Sequence, residues 1–186
     1  MLPQSDDDRR ALLALARQAI EESVVHQQIP ELPQFSGILS ERACAFVTVR
    51  RKGRLRGCVG RTDRTLALGE LVAQCAISAA MRDPRFPPVA AHEVADLEIE
   101  ISVLSRFELL VPGAIHPGRH GVYIVRGQQR GLLLPQVAAE HRWSSERLLA
   151  ETCGKAGLAP DAWRDPETQI FGFTADVFSD TDFQQG

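Results

Sequence analysis

No C-x-x-C pair occurs among the four cysteines, Cys44, Cys58, Cys75 and Cys153. Their wide spacing suits reduced thiols rather than a disulfide framework or a structural zinc site. An iron–sulfur cluster held by this chain alone is not expected, for the same reason. No apolar run approaches the roughly 20 residues of a membrane-spanning helix. The opening residues, MLPQSDDDRR, are acidic and lack an apolar stretch, unlike a secretory signal or an Arg-rich transit peptide. A soluble, cytoplasmic protein with no membrane partner is expected. The signatures G-x-x-x-x-G-K-S/T, G-x-S-x-G and H-E-x-x-H are all missing, as are internal repeats and low-complexity tracts.

What is present is globular. The 186 residues suffice for one well-buried core, or one core with a smaller lobe, and 44% hydrophobic against 24% charged residues argue for a folded chain. A net charge of −3 gives no global field to recruit nucleic acid. Locally, residues 50–64 hold seven cations and only Asp63 as an acid. No aromatic is interleaved there to stack on bases, and a charged hairpin edge that resists aggregation accounts for the run. Nucleic acid is therefore not an expected partner.

Ser5 followed by Asp6, Asp7 and Asp8 marks a helix start, and Leu12, Leu15, Ala16, Ala19, Ile20 and Val24 continue it at helical spacing over residues 6–25. Residues 43–50 and the segment RLRGCVG predict a hairpin turned on RKG. Residues 66–81 are alanine-rich and almost uncharged, as a largely buried helix is, and RDPRFPP stops it. LEIEISVL alternates as a half-buried strand. HGVYIVRGQQRGLLLPQV reads as strand, turn, strand with Gly127 and Gly131 around the bend. A helix from Ser144 or Ser145 to about Ala156 follows, then a final strand, IFGFTADVF. Helices interleaved with tightly turned strands predict an α+β fold with an antiparallel or mixed sheet.

Strand alternation would place Arg54, Arg56 and Cys58 on one face, with Leu55 and Val59 on the other. A guanidinium beside Cys58 would favour the nucleophilic thiolate over the thiol, whose usual pKa is ~8.5. Gly57 and Gly60 would permit close approach of a backbone or ligand, or a bulge that turns the thiol outward. Equally, Cys58 is a small buried residue where two elements touch. Asp83 and Arg85, in the proline-rich stop, form either an anion clamp or a tied-down helix terminator with Phe86 plugging the core. His120 is a candidate general base, titrating near ~6.5 when unperturbed, or a turn residue. Glu98 and Glu100 are a candidate acid and base, or a solvated strand face. His92, His116, His120, Glu98 and Glu100 lack any metal-ligand spacing, so no metal or cofactor is expected.

The ordered set LRGCVG (Leu55 to Gly60), AISAAMRDPRFPP, LEIEISVLS, HGVYI, RGLLLPQV and FTADVF closely resembles the AMMECR-type domain family across nearly the whole chain. Position 59 is valine where isoleucine is usual. The resemblance implies a single domain over residues 1–186: a larger lobe with an antiparallel sheet flanked by helices, and a smaller, mostly β lobe. It also implies the setting of the AmmeMemoRadiSam gene systems, with a Memo-like protein and a radical S-adenosylmethionine enzyme as partners. It carries no defined reaction. Its cysteine motif, here Leu55, Arg56, Gly57, Cys58, Val59 and Gly60, is regarded as the active or binding site. Two readings follow. In one, Cys58, activated by Arg56 and His120, forms a covalent intermediate while Arg85 or Arg61 holds an anionic group on the substrate. In the other, the motif only docks a substrate or partner.

Overall fold

Ser5 caps the first helix of the computed structural model, which describes residues 2, 3 and 5–183. Its hydroxyl accepts the Asp8 N–H, three aspartates fill the first turn, and α1 runs Asp6–Val24. Strands β1 (Cys44–Arg51) and β2 (Arg54–Arg61) form the expected hairpin. Its two turn residues, Lys52 and Gly53, both take positive φ (51 and 73), the turn whose twist matches the strands. Helix α2 (Leu68–Met81) and strand β3 (Leu97–Leu104) follow as the patterning indicates. Next come β4 (Glu108–Leu109), β5 (Gly121–Arg126), β6 (Gln129–Leu133), α3 (Pro135–Glu140), α4 (Ser145–Lys155), β7 (Gln169–Phe173) and β8 (Ala175–Ser179).

The chain divides into two compact units. The first takes the residues up to Leu104 and those from Asp176, and the second is Ser105–Ala175. In the first, strands lie in the order β2-β1-β3-β8, and β1 pairs antiparallel with both β2 and β3. Val47 and Val49 of β1 and Ile99 and Ile101 of β3 share one core with Ile20 of α1 and Ala76 of α2. In the smaller second unit the order is β4-β7-β5-β6, again through antiparallel pairs. Its separate core joins Val122 and Ile124 of β5 to Leu148, Leu149 and Cys153 of α4. The fold is α+β, with two antiparallel sheets. No helix among the described residues is long and apolar enough to cross a membrane.

Three local expectations are corrected. IFGFTADVF is two strands, with Thr174 as the break, because β7 joins the second sheet and β8 the first. There Ser105 donates its N–H to Thr174 O at 2.9 Å, and Thr174 donates its own to Ser105 Oγ at 2.9 Å. Gly131 lies inside β6 rather than at the bend, which Gly127 makes with φ 58. Residues following β6 form the short helix α3, with Pro135 in its first turn.

Candidate functional site

Strand β2 is an edge strand, whose one strand neighbour among the described residues is β1. From the turn, Arg51 pairs with Arg54 and Arg50 with Leu55, but Val49 then pairs with Gly57 and Thr48 with Cys58. Arg56 is the extra residue of a β-bulge. One inserted residue reverses which side chains share a face. Leu55 therefore joins Cys58 on the face of Phe46, Thr48 and Arg50, while Arg54 falls on the opposite one. The expected common face of Arg54, Arg56 and Cys58 does not form.

Gly57 and Val59 turn toward the helices. A Cβ on Gly57 would stand 1.9 Å from the carbonyl oxygen of Ala79 in α2, and Val59 packs against the first core. On the other face, a Cβ on Gly60 would stand 2.2 Å from the Phe46 ring. Both glycines are thus required by packing within the chain.

Cys58 is half-buried, and Thr48 donates its hydroxyl to the sulfur at 3.2 Å. Glu100 of β3 stands opposite Thr48 in register, so Cys58, Thr48 and Glu100 form a row across three strands. The outer edge of β2 at Cys58 is bonded by side chains. Asp83 Oδ2 accepts the Cys58 N–H at 2.9 Å, and Arg85 Nη2 donates to Cys58 O at 3.4 Å. Asp83 and Arg85 are locked together by three further bonds, from the Arg85 N–H, Nε and Nη2 at 3.1, 2.9 and 2.6 Å. An outward-facing N–H and C=O make Thr48–Cys58 a non-hydrogen-bonded pair, the kind whose side chains approach most closely. That places the hydroxyl on the sulfur. The Asp83–Arg85 pair stands in for a neighbouring strand, so the clamp and the helix terminator are one device. Phe86 lies under the Arg85 guanidinium at 5.4 Å and is half-buried, not a core plug.

The Arg85 guanidinium, helped by the Cys58 N–H and against the effect of burial, holds the Asp83 carboxyl well below the usual carboxylate range. Asp83 in turn raises Arg85. Burial pushes Cys75 up to about 12 and raises Cys44 and Cys153.

Arg56 does not turn to the thiol. Its Nε and Nη2 donate to the Glu93 carboxylate at 3.2 and 2.9 Å, and Nη1 and Nη2 to the carbonyls of Pro87 and Pro88 at 2.6 and 3.1 Å. Arg51 Nη1 and the Ala90 N–H complete the shell of Glu93, each at 2.9 Å. Hydrogen bonding from Arg56, ahead of the Ala90 N–H, draws the Glu93 pKa down to about 2. Arg61 is paired with Asp63 at 2.6 Å. His120 belongs to the second unit and Cys58 to the first. Its Nδ1 accepts the His116 N–H at 3.2 Å, and burial, then the charge of Arg119, holds it below the ordinary imidazole value. Among the described residues no cluster of three His, Cys, Asp or Glu is arranged to hold a metal ion.

Two partners escaped the sequence reading. Glu93 carries no motif. Thr48 was hidden by the bulge, since an unbroken register from the Lys52-Gly53 turn would set it against Gly57.

Comparison with known proteins accords with this architecture. The AMMECR1 family description matches residues 13–178. A protein of Methanothermobacter thermautotrophicus is 43% identical over 184 residues, covering 95% of this chain and 96% of its own length. One from Thermococcus kodakarensis is 43% identical over 181 residues, covering 91% and 88%. The crystal structure of an uncharacterised protein from Pyrococcus horikoshii is similar with a TM-score of 0.85 and 41% identity, covering 91% of this chain and 89% of that one. A match that spans strands of both sheets, the cysteine strand β2 among them, shows that the chain belongs to the AMMECR1 domain family.

Proposed function

We propose that the protein is a cysteine-dependent component of a modification pathway, in which Cys58 receives a group from an anionic substrate. The observation that carries this reading is the contrast among the thiols. Cys44, Cys75 and Cys153 are buried, whereas Cys58 is half-buried, receives the Thr48 hydroxyl and is strapped in place by Asp83 and Arg85. Arg85 is 55% exposed, and its Nη1 makes no hydrogen bond among the described residues. It is therefore free to meet a carboxylate or phosphate beside the thiol. The thiol loses its proton to water, and its thiolate attacks an electrophilic carbonyl carbon. An S–C bond forms as the leaving group departs with its electron pair. Thr48 and Arg85 take the supporting places first assigned to Arg56 and His120. The partners in this reading are a Memo-like protein and a radical S-adenosylmethionine enzyme that make or consume the transferred group.

Timed alkylation of the native protein, with mass spectrometry assigning adducts to each cysteine, tests the thiol. Cys58 is expected to react first, and Cys58→Ser to abolish function in a cell dependent on the three-gene system. A Cys58 that stays inert until unfolding, or a serine variant with full function, would overturn the reading. A docking surface without chemistry is the alternative, favoured by one feature: Leu55 is 37% exposed on the face of Cys58. In that case Leu55→Asp, and not Cys58→Ser, removes partner capture.

A further inference from the structure

At the tip of the β1–β2 hairpin a cavity of about 510 Å³ is lined by Arg51, Lys52, Arg54, Leu55, Arg56 and Glu93. Four cations face one carboxylate. Even with Asp96, which accepts from Arg51 Nη2 at 3.2 Å, cations exceed acids by two. Glu93 is saturated by Arg51, Arg56 and the Ala90 N–H, so it orients the two guanidiniums and has no capacity for the other cations. Lys52 and Arg54 have no ion-pair partner among the described residues. Arg51 Nε is buried and donates to nothing there. Lys52 also occupies a turn position with φ 51, where asparagine, aspartate or glycine is the better conformer. The hairpin keeps a charge there at the expense of its own turn.

We infer that this cavity binds a phosphate group, free or as the monoester of a small molecule. A phosphate monoester carries close to two negative charges at neutral pH and three acceptor oxygens, matching both the surplus charge and the unpaired, exposed side chains of Lys52 and Arg54. A carboxylate offers half the charge. A nucleic-acid strand would need a track with stacking aromatics, and residues 50–64 contain none. The site is separate from the thiol chemistry, since Cys58 does not line it.

The test titrates the full chain with inorganic phosphate at constant ionic strength, following the thermal midpoint and backbone amide shifts. Saturable binding that raises the midpoint is expected. It should weaken about tenfold in a Lys52→Gln, Arg54→Gln double variant and stay unchanged in Lys155→Gln on α4. Both replaced tip residues are exposed, and an unaltered urea midpoint verifies that the double variant is folded. Glycerol 3-phosphate that competes with phosphate identifies the ester, whereas its exclusion restricts the site to the free anion. Four results each overturn the inference: no saturation, equal affinity in the double variant, equal binding of succinate, or an RNA oligonucleotide held by these residues that phosphate cannot displace. Cys58→Ser leaves phosphate binding intact, so this inference and the thiol reading fail independently.

Discussion

At the scale of single residues, Asp83 makes the most consequential contacts around Cys58. Its carboxylate is almost wholly buried and receives the Cys58 N–H together with the Arg85 N–H and guanidinium. Removing it leaves a strand N–H and a guanidinium without their acceptor. Asp83→Ala is expected to lower stability by about 2 kcal/mol at pH 7. Because the folded-state pKa lies below the unfolded value near ~3.9, this stabilisation is complete above that value and is lost as pH falls through the depressed one. Urea unfolding of wild type and variant should therefore show a gap at pH 7 that narrows at pH 3. A gap of the same size in acid would mean that the carboxylate charge is not what holds the strap. Glu93, at about 2, contributes with the same sign. Glu93→Gln should also weaken the protein at pH 7 and converge with wild type in acid, because Arg51 and Arg56 lose their shared counter-charge together.

Among the elements, the β2–α2 contact sets the tolerance of the cysteine strand. A methyl at Gly57 meets a helix carbonyl, not a flexible side chain, so Gly57→Ala must lift β2 from α2 at a cost of about 3 kcal/mol. Gly53→Ala at the hairpin turn meets nothing within 4 Å and is strained only by its φ of 73, at about 1 kcal/mol. Denaturation midpoints of the two variants test the order, and near-equal losses would contradict the packing argument. A bulky Gly57 replacement consequently reports on folding before it reports on docking. Much at this scale was readable from pattern: α1 from its cap and spacing, the hairpin from RKG, β3 from strict alternation. A bulge was legible only as an option offered by Gly57 and Gly60; its place was not, because an extra residue at Arg56 leaves no mark in a short cationic run. With it went the face of Arg56, the Thr48 contact and the regrouping of Leu55. The break at Thr174 was hidden for a related reason, since β7 and β8 are both apolar and nearly contiguous. Whether a run pairs in one sheet or two is decided by distant strands.

At the scale of the whole molecule, the two units have separate cores, and the second is a continuous insert between Leu104 and Asp176. Its ends meet. Ser105 and Thr174 exchange two hydrogen bonds at 2.9 Å, and β4 pairs with β7 just inside them. An insert whose termini are already joined loses little chain entropy when its flanks are removed. Its own sheet is closed over α4 by Ile124, Leu148, Leu149 and Cys153. Residues 105–175 produced alone should therefore fold and unfold cooperatively. A unit of this size lies near the lower limit at which an apolar core suffices, so its midpoint should fall below that of the intact chain. Circular dichroism melts of the fragment, beside hydrogen exchange of β5 and α4 in the full protein, provide the test. A fragment without a cooperative transition would mean that the second core depends on the first, and that the chain is one folding unit despite its two cores.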